Sequence, residues 1–206
     1  PLFVGTNVFI PALLTGNAVL YKPSEFATLT GLLLAGYFKQ AGLPEGIFQA
    51  LPGAAETGEA LVSLPLNGLF FTGSNRTGKR LAEQVASRLI KIGLELGGKD
   101  PAYICEDADL KVAAETVADG SFYNAGQSCC AVERIYVHEK VYDVFLGHVK
   151  TFTESLKIGD PKDAQTYMGP LARKAQLEVL NEQVNDAIQK GAKYLVQGTL
   201  YPDVIE

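Results

Sequence analysis

Gly68-Leu69-Phe70-Phe71-Thr72-Gly73-Ser74 is a short apolar run that breaks at a Gly-Ser turn, and the segment after it, Thr77 to Arg88, has the apolar spacing of a helix. Ile90 to Leu96 then alternates apolar residues as a strand does, and Gly97-Gly98 stops it. Two strands with a helix between them need a crossover connection, so the pair runs parallel.

The same alternation extends on both sides. Upstream, Thr6 to Leu14 is predicted helical and stops at Thr15-Gly16-Asn17. Ala18 to Tyr21 reads as a strand ended by Lys22-Pro23. Thr28 to Gln40 reads as a helix with Leu29, Leu32, Leu33 and Gly36 on one face and a stop at Gly42. Ile47 to Leu51 is a strand ended by Pro52-Gly53, and Glu56 to Ser63 a short helix. Downstream come a strand at Ala102–Cys105, a helix at Leu110–Phe122, a polar loop at Asn124–Ser128 and a strand at Arg134–His138. Helices at Val141–Lys157 and about Arg173–Lys190 and a strand at Lys193–Val196 complete the pattern. The fold class is therefore α/β, an open, mostly parallel sheet with flanking helices. Ligands in such sheets sit beyond the carboxyl ends of the strands. That directs attention to Lys22-Pro23-Ser24-Glu25, Pro52-Gly53, Thr72-Gly73-Ser74 and Glu95-Leu96-Gly97-Gly98.

Composition narrows the classes of function. The 206 residues are 47% hydrophobic and 20% charged, as in ordinary soluble globular proteins. A net charge of −5 argues against nucleic acid and anionic membrane as partners, because both need a positive field. No apolar run is long enough for a membrane span, and no signal peptide is evident. Three cysteines, two of them adjacent, make no disulfide framework, and they read as reduced thiols in a cytoplasmic compartment. The only methionine is Met168, and the chain opens on Pro1. That opening fits either removal of an initiator Met or a piece of a longer protein.

Four segments carry candidate chemistry. Gly73-Ser74-Asn75-Arg76-Thr77-Gly78-Lys79 follows a strand and precedes a helix, as a P-loop does, but Arg80 stands where a magnesium-binding Ser or Thr belongs. What survives is a Gly-Ser turn at a helix N-terminus, suited to a phosphate, or an ordinary βα turn. Glu25 can accept from a ribose 2′-hydroxyl while Lys22 donates to the 3′-hydroxyl; a carboxylate there would repel a 2′-phosphate, which favours NAD over NADP. The alternative is a solvated Glu at a helix start. Cys129 and Cys130 follow a polar loop, as reactive thiols or as a small buried pair, whereas Cys105 reads as core. Adjacent cysteines and only two histidines, His138 and His148, leave no metal-ligand pattern and weak support for a Cys–His protease. Glu95, between Leu94 and Leu96, is placed in apolar surroundings that suit a general base, or else points to water.

In this order and at these spacings the segments resemble the aldehyde dehydrogenase superfamily. The matching stretches are Gly16-Asn17-Ala18-Val19-Leu20-Tyr21-Lys22-Pro23-Ser24-Glu25, Ala41-Gly42-Leu43-Pro44-Glu45-Gly46 and Phe71-Thr72-Gly73-Ser74, then Leu94-Glu95-Leu96-Gly97-Gly98-Lys99 and Asn124-Ala125-Gly126-Gln127-Ser128-Cys129. The resemblance implies a Rossmann-like dinucleotide-binding part over residues 1–97 and part of a second, catalytic α/β domain over residues 98–206. It implies Cys129 as nucleophile, with Cys130 a neighbour, and Glu95 as general base. For the cofactor it implies a site of Lys22, Ser24, Glu25, Gly53, Phe71, Thr72, Gly73, Ser74, Thr77, Gly78 and Leu96, with the pyrophosphate near Ser74 and a helix beginning at Thr77.

The implied reaction is oxidation of a small aldehyde to a carboxylic acid with NAD. The Cys129 thiolate gives a thiohemiacetal, hydride loss to the nicotinamide leaves a thioester, and Glu95 activates the water that hydrolyses it. The resemblance also implies a homodimer or homotetramer for the full-length protein. A Trp-Asn pair usual in the family, whose Asn is an oxyanion donor, has no match here, since the chain contains no Trp, and a downstream Glu-x-Phe-Gly-Pro segment is also unmatched. The chain therefore reads as a fragment that binds NAD weakly and turns over little alone. A second class, a non-catalytic nucleotide-binding or structural module derived from a dehydrogenase, is disfavoured by the presence of both Cys129 and Glu95.

Overall fold

The computed structural model describes residues 2–192. The strand expected at Lys193–Val196 lies outside the described residues. The backbone packs as two compact units. One contains the residues up to Thr72 with Thr77–Glu95; the other contains Gly73–Arg76 and the chain from Leu96 onward.

The first unit begins with helix α1 (Leu2–Leu14), which starts four residues before the expected Thr6. Strand β1 (Val19–Tyr21) leads through helix α2 (Thr28–Gln40) to β2 (Phe48–Ala50), and β1 and β2 pair in parallel with Tyr21 opposite Ala50. Aromatic rings hold these elements together. Phe9 of α1 stands 5.1 Å from both Tyr21 and Phe48, and Phe38 of α2 stands 4.8 Å from Phe48, at separations and tilts that such rings favour.

The face of α2 that packs is not the expected one. Gly31 and Leu34 are buried, whereas Leu29, Leu32 and Leu33 are exposed, Leu29 to 82%. Gly31 settles the choice: a Cβ built there would lie 2.7 Å from Pro23 Cβ and 3.2 Å from the Tyr21 ring. Only a residue without a side chain lets the helix seat that closely on the buried Pro23.

Helix α3 (Ala55–Val62), strand β3 (Gly68–Thr72), helix α4 (Asn75–Ala86) and strand β4 (Lys91–Glu95) follow, and β3 and β4 pair in parallel with Thr72 opposite Glu95. Arg88 fastens the return. Its guanidinium donates to the carbonyls of Val62, Leu64 and Leu66, capping the end of α3 and the turn after it.

In the second unit, β5 (Asp100–Ile104) pairs in parallel with β6 (Val132–Val137), connected through helix α5 (Leu110–Phe122). Asp109 opens α5 by accepting from the Val112 N–H at 3.1 Å. Helix α6 (Tyr142–Ser155) lays Phe145 and Val149 against Ala114, Val117, Ala118 and Phe122 of α5 and Ile104 of β5, and these seven residues are the core of the unit. Helix α7 (Gln176–Gln189) comes last. Among the described residues the strands form three parallel pairs. The architecture is the expected α/β alternation with parallel strands, and every expected element within residues 2–192 is present with ends shifted by four residues or fewer.

Candidate functional site

Two clusters, one in each unit, hold five of the expected site residues: Lys22, Ser24, Glu25 and Gly53 in the first and Cys129 in the second. In the first, the chain leaves β1 at Lys22 and β2 just before Pro52-Gly53, so both loops emerge at the same edge of the parallel pair. The Lys22 ammonium joins them. It donates to Pro23 O at 2.8 Å and to Gly53 O at 3.0 Å, and it stands 3.8 Å from the Glu25 carboxylate. An ammonium has three donors, so the third is left on the side of Glu25. Ser24 Oγ accepts from the Phe26 N–H and caps the 3-10 turn Glu25–Ala27. At Gly53 a Cβ would lie 1.8 Å from Thr57 Oγ1, so the loop can approach α3 only as glycine. Lys22, Ser24, Glu25 and Gly53 thus form one constellation.

Phe71 and Thr72 end β3, and Glu95 ends β4. Glu95 is exposed, not set in the apolar surroundings expected for it, because strand alternation puts it on the face of Lys91 and Gly93, opposite the one that carries Ile92 and Leu94. Gly73 and Ser74 form the turn into α4, which starts at Asn75, two residues before the expected Thr77. Thr77 and the buried Gly78 therefore lie inside the helix, and Gly73-Ser74 occupies the place where the positive end of the helix dipole suits an anion. Leu96, half-buried, follows β4. Glu95 belongs to the first unit and Cys129 to the second.

The second cluster surrounds the thiols. Past α5 the expected polar loop is a tight 3-10 turn at Tyr123–Gly126, in which Asn124 (φ 53°), Ala125 (φ 56°) and Gly126 (φ 67°) are all left-handed. The conformation is free for Gly126 but costly for Asn124 and Ala125, which must be held in it by other bonds. Asn124 and Gln127 do so reciprocally: Asn124 Nδ2 donates to Gln127 O and Gln127 Nε2 donates to Asn124 O, each at 2.9 Å. Gln127 Oε1 also accepts from the Ala172 N–H at 2.9 Å, tying the turn to the segment before α7. Ser121 Oγ donates within α5 and onward to Val132 O of β6, fixing the helix that carries the turn.

Cys129 and Cys130 emerge from this turn exposed, which removes the reading of a buried pair. Cys105 is exposed as well, not core: β5 ends at Ile104, so Cys105 falls in the connection after it. Beneath Cys129 lies Gly98, where a Cβ would come within 2.8 Å of the Cys129 carbonyl oxygen. The sequence shows Gly97-Gly98 as a strand stop and as part of a matching stretch, but not as a contact of Cys129; a close approach across thirty residues leaves no local signal. The roles of Tyr123 and Ser128, both bonded to Cys130 Sγ, were likewise missed. The Ser128 and Tyr123 hydroxyls hold the Cys130 thiol below its usual range, and Tyr123 is itself pushed up, first by its bond to Cys130. No cluster of metal ligands occurs among the described residues, and no helix among them is long and apolar enough to cross a membrane.

A family model described as "Aldehyde dehydrogenase family" matches residues 1–204. The 3-sulfolactaldehyde dehydrogenase of Priestia aryabhattai is 42% identical over 190 residues, 91% of this chain and 39% of that protein. The "D-glyceraldehyde dehydrogenase (NADP(+))" of Thermoplasma acidophilum is 40% identical over 191 residues, 92% of this chain and 38% of that protein. In three dimensions, the Mycobacterium tuberculosis aldehyde dehydrogenase crystallised with NAD+ superposes with a TM-score of 0.90 at 37% identity, over 93% of this chain and 40% of the other. The chain thus spans about two fifths of the length of the relatives it matches. Sequence and structure agree that the chain belongs to the aldehyde dehydrogenase family.

Proposed function

We propose that this chain contributes the adenosine side of an NAD site and the nucleophilic thiol of an enzyme that oxidises a small aldehyde to its acid. The observation that carries the reading is the setting of Cys129: an exposed thiol at the end of a left-handed turn, clamped by Asn124 and Gln127 and seated on Gly98. A nucleophile needs access and a fixed backbone, and this arrangement supplies both.

The donor set at Lys22 and Glu25 fits a nucleotide ribose. The ammonium donor left on the side of Glu25 and the adjacent carboxylate acceptor suit a vicinal diol. The carboxylate would repel a 2′-phosphate, which supports NAD; one relative is named for NADP, so the preference is a property to be measured in this chain. Gly73-Ser74, at the N-terminus of α4, suits the pyrophosphate. When bound, the dinucleotide accepts hydride.

The chain's own residues do the rest. Cys129 Sγ attacks the aldehyde carbon. Loss of hydride leaves a thioester on Cys129. Glu95 takes a proton from the water that attacks the thioester, and Cys129 departs as thiolate with the acid as product. The exposure of Glu95 gives its carboxylate the access to water that this step needs.

The test is competitive alkylation. An aldehyde together with NAD is expected to protect Cys129 selectively while Cys105 continues to react. Equal, unprotected labelling of all three thiols would overturn the catalytic role and return the chain to the non-catalytic class.

A further inference from the structure

The chain carries seven asparagines, and the fold treats them unequally. Asn7, Asn75, Asn181 and Asn185 lie in α1, α4 and α7, where helical hydrogen bonds hold the backbone. Asn17 donates from its side chain to Ala12 O and Thr15 Oγ1, and Asn124 donates to Gln127 O. Asn67 differs from all six. It is exposed in the bend between α3 and β3, and its side chain has no hydrogen-bond partner among the described residues. It is also the only asparagine followed by glycine.

The fold does not demand that glycine. The backbone at Gly68 is not left-handed. A Cβ built there would meet Phe70 and Lys91 at 3.4 to 3.8 Å, which is ordinary van der Waals contact. What glycine does at position 68 is leave the backbone nitrogen beside Asn67 unshielded.

We propose that Asn67-Gly68 is a self-modification site, at which the asparagine closes onto the glycine amide and is hydrolysed to aspartyl and isoaspartyl residues at the head of β3. The Gly68 nitrogen gives up its proton to base in solution and attacks Asn67 Cγ. The N–Cγ bond forms, the Cγ–Nδ2 bond breaks, and the leaving nitrogen takes a proton and departs as ammonia. The product is a five-membered succinimide. Water then adds to one of its two carbonyls and breaks the adjoining C–N bond. Opening at Cγ leaves an aspartyl residue. Opening at the main-chain carbonyl leaves an isoaspartyl residue, in which the chain runs through Cγ. Nothing is oxidised or reduced, and water is the only co-reactant.

Both products add a negative charge, and the isoaspartyl form also adds one carbon to the main chain. The position has little slack. Arg88 donates to Leu66 O at 3.5 Å on one side, and Gly68 opens the β3–β4 ladder opposite Lys91 on the other. A longer chain between these two holds must strain one of them. β3 ends at Phe71 and Thr72, so the strain enters the strand that carries two of the expected cofactor residues. None of this chemistry uses Cys129 or a dinucleotide, so its failure and that of the dehydrogenase reading are separate.

The test holds the folded chain in mildly alkaline buffer for several days. Peptide mass spectrometry follows each asparagine, and chromatography separates aspartyl from isoaspartyl peptides. Replacement of amide by hydroxyl is expected first at Asn67, in both forms, and faster as the pH rises. Gly68→Ala is expected to slow it severalfold while keeping at least the parent's urea midpoint. Asn67→Asp supplies the charge without the longer main chain, so its urea midpoint is expected to lie above that of the isoaspartyl form. Conversion at Asn17 or Asn124 as fast as at Asn67 would overturn the site, as would an unchanged rate in Gly68→Ala. An isoaspartyl form as stable as Asn67→Asp would overturn the strain on β3.

Discussion

Gly98 carries the backbone of Cys129: a Cβ at position 98 would stand 2.8 Å from the Cys129 carbonyl oxygen and 2.8 Å from Asp100 Oδ1. The Asp100 carboxylate can swing away, but the carbonyl belongs to a turn held at both ends. Gly98→Ala is therefore expected to destabilise the second unit by about 1–3 kcal/mol, the range for overpacking, and to slow alkylation of Cys129. Gly147→Ala is the control. Gly147 lies in α6 with nothing within 4 Å of its would-be Cβ, so helix propensity alone acts and a gain of about 0.5–1 kcal/mol is expected. Urea unfolding of both variants reads the difference.

That contact marks where the sequence stops being legible. The α/β alternation, the parallel pairs and the loops bearing Lys22, Gly53, Glu95 and Cys129 follow from local signals: Gly and Pro punctuation, apolar period and cap residues. Local signals also placed Thr28–Gln40 and Leu110–Phe122 without error. They could not choose the buried face of α2, because Leu29, Leu32, Leu33 and Leu34 are apolar almost all round and the decision rests with Gly31 against Pro23. Nor could they show that Asn124 and Ala125 are left-handed. Ala rarely adopts that conformation, and only the Gln127 bonds make it tolerable here. Cys105 was misread as core for a related reason, since one residue beyond the last strand position is enough to turn a side chain to solvent.

Gln127 is the next point to test. Gln127→Ala removes the donor to Asn124 O and the acceptor of the Ala172 N–H. Each bond is worth about 0.5–1.5 kcal/mol, and both lie at exposed positions, so the low end is expected in denaturation. The effect on Cys129 should be larger than the effect on stability, because the strained turn relaxes once unclamped. A drop in the Cys129 alkylation rate at nearly unchanged urea midpoint is the expected result. Equal rates in variant and parent would show that the clamp does not position the thiol.

Glu25 sets the expected choice of dinucleotide. Glu25→Gln keeps the shape of the side chain and removes the charge that would repel a 2′-phosphate. NADP affinity is expected to rise relative to NAD, with the NAD affinity itself falling. Lys22→Met acts differently. It leaves Pro23 O and Gly53 O without their donor, so it should weaken both dinucleotides and also cost about 1–2 kcal/mol in stability, a discounted value for bonds to a partly exposed charge. Calorimetric titration with each nucleotide separates the two patterns.

The hydroxyls around Cys130 should be visible in its pH profile. Ser128 and Tyr123 stabilise the thiolate, in that order, and hold Cys130 below the usual thiol range. Removing a donor to the charged form raises the value, so Ser128→Ala and Tyr123→Phe are both expected to move the pH midpoint of Cys130 alkylation upward. Ser128→Ala should move it further, since its bond is the larger cause. A Cys130 midpoint that stays with the parent's in both would show that the hydrogen bonds at 3.3 and 3.4 Å do not bias its ionisation.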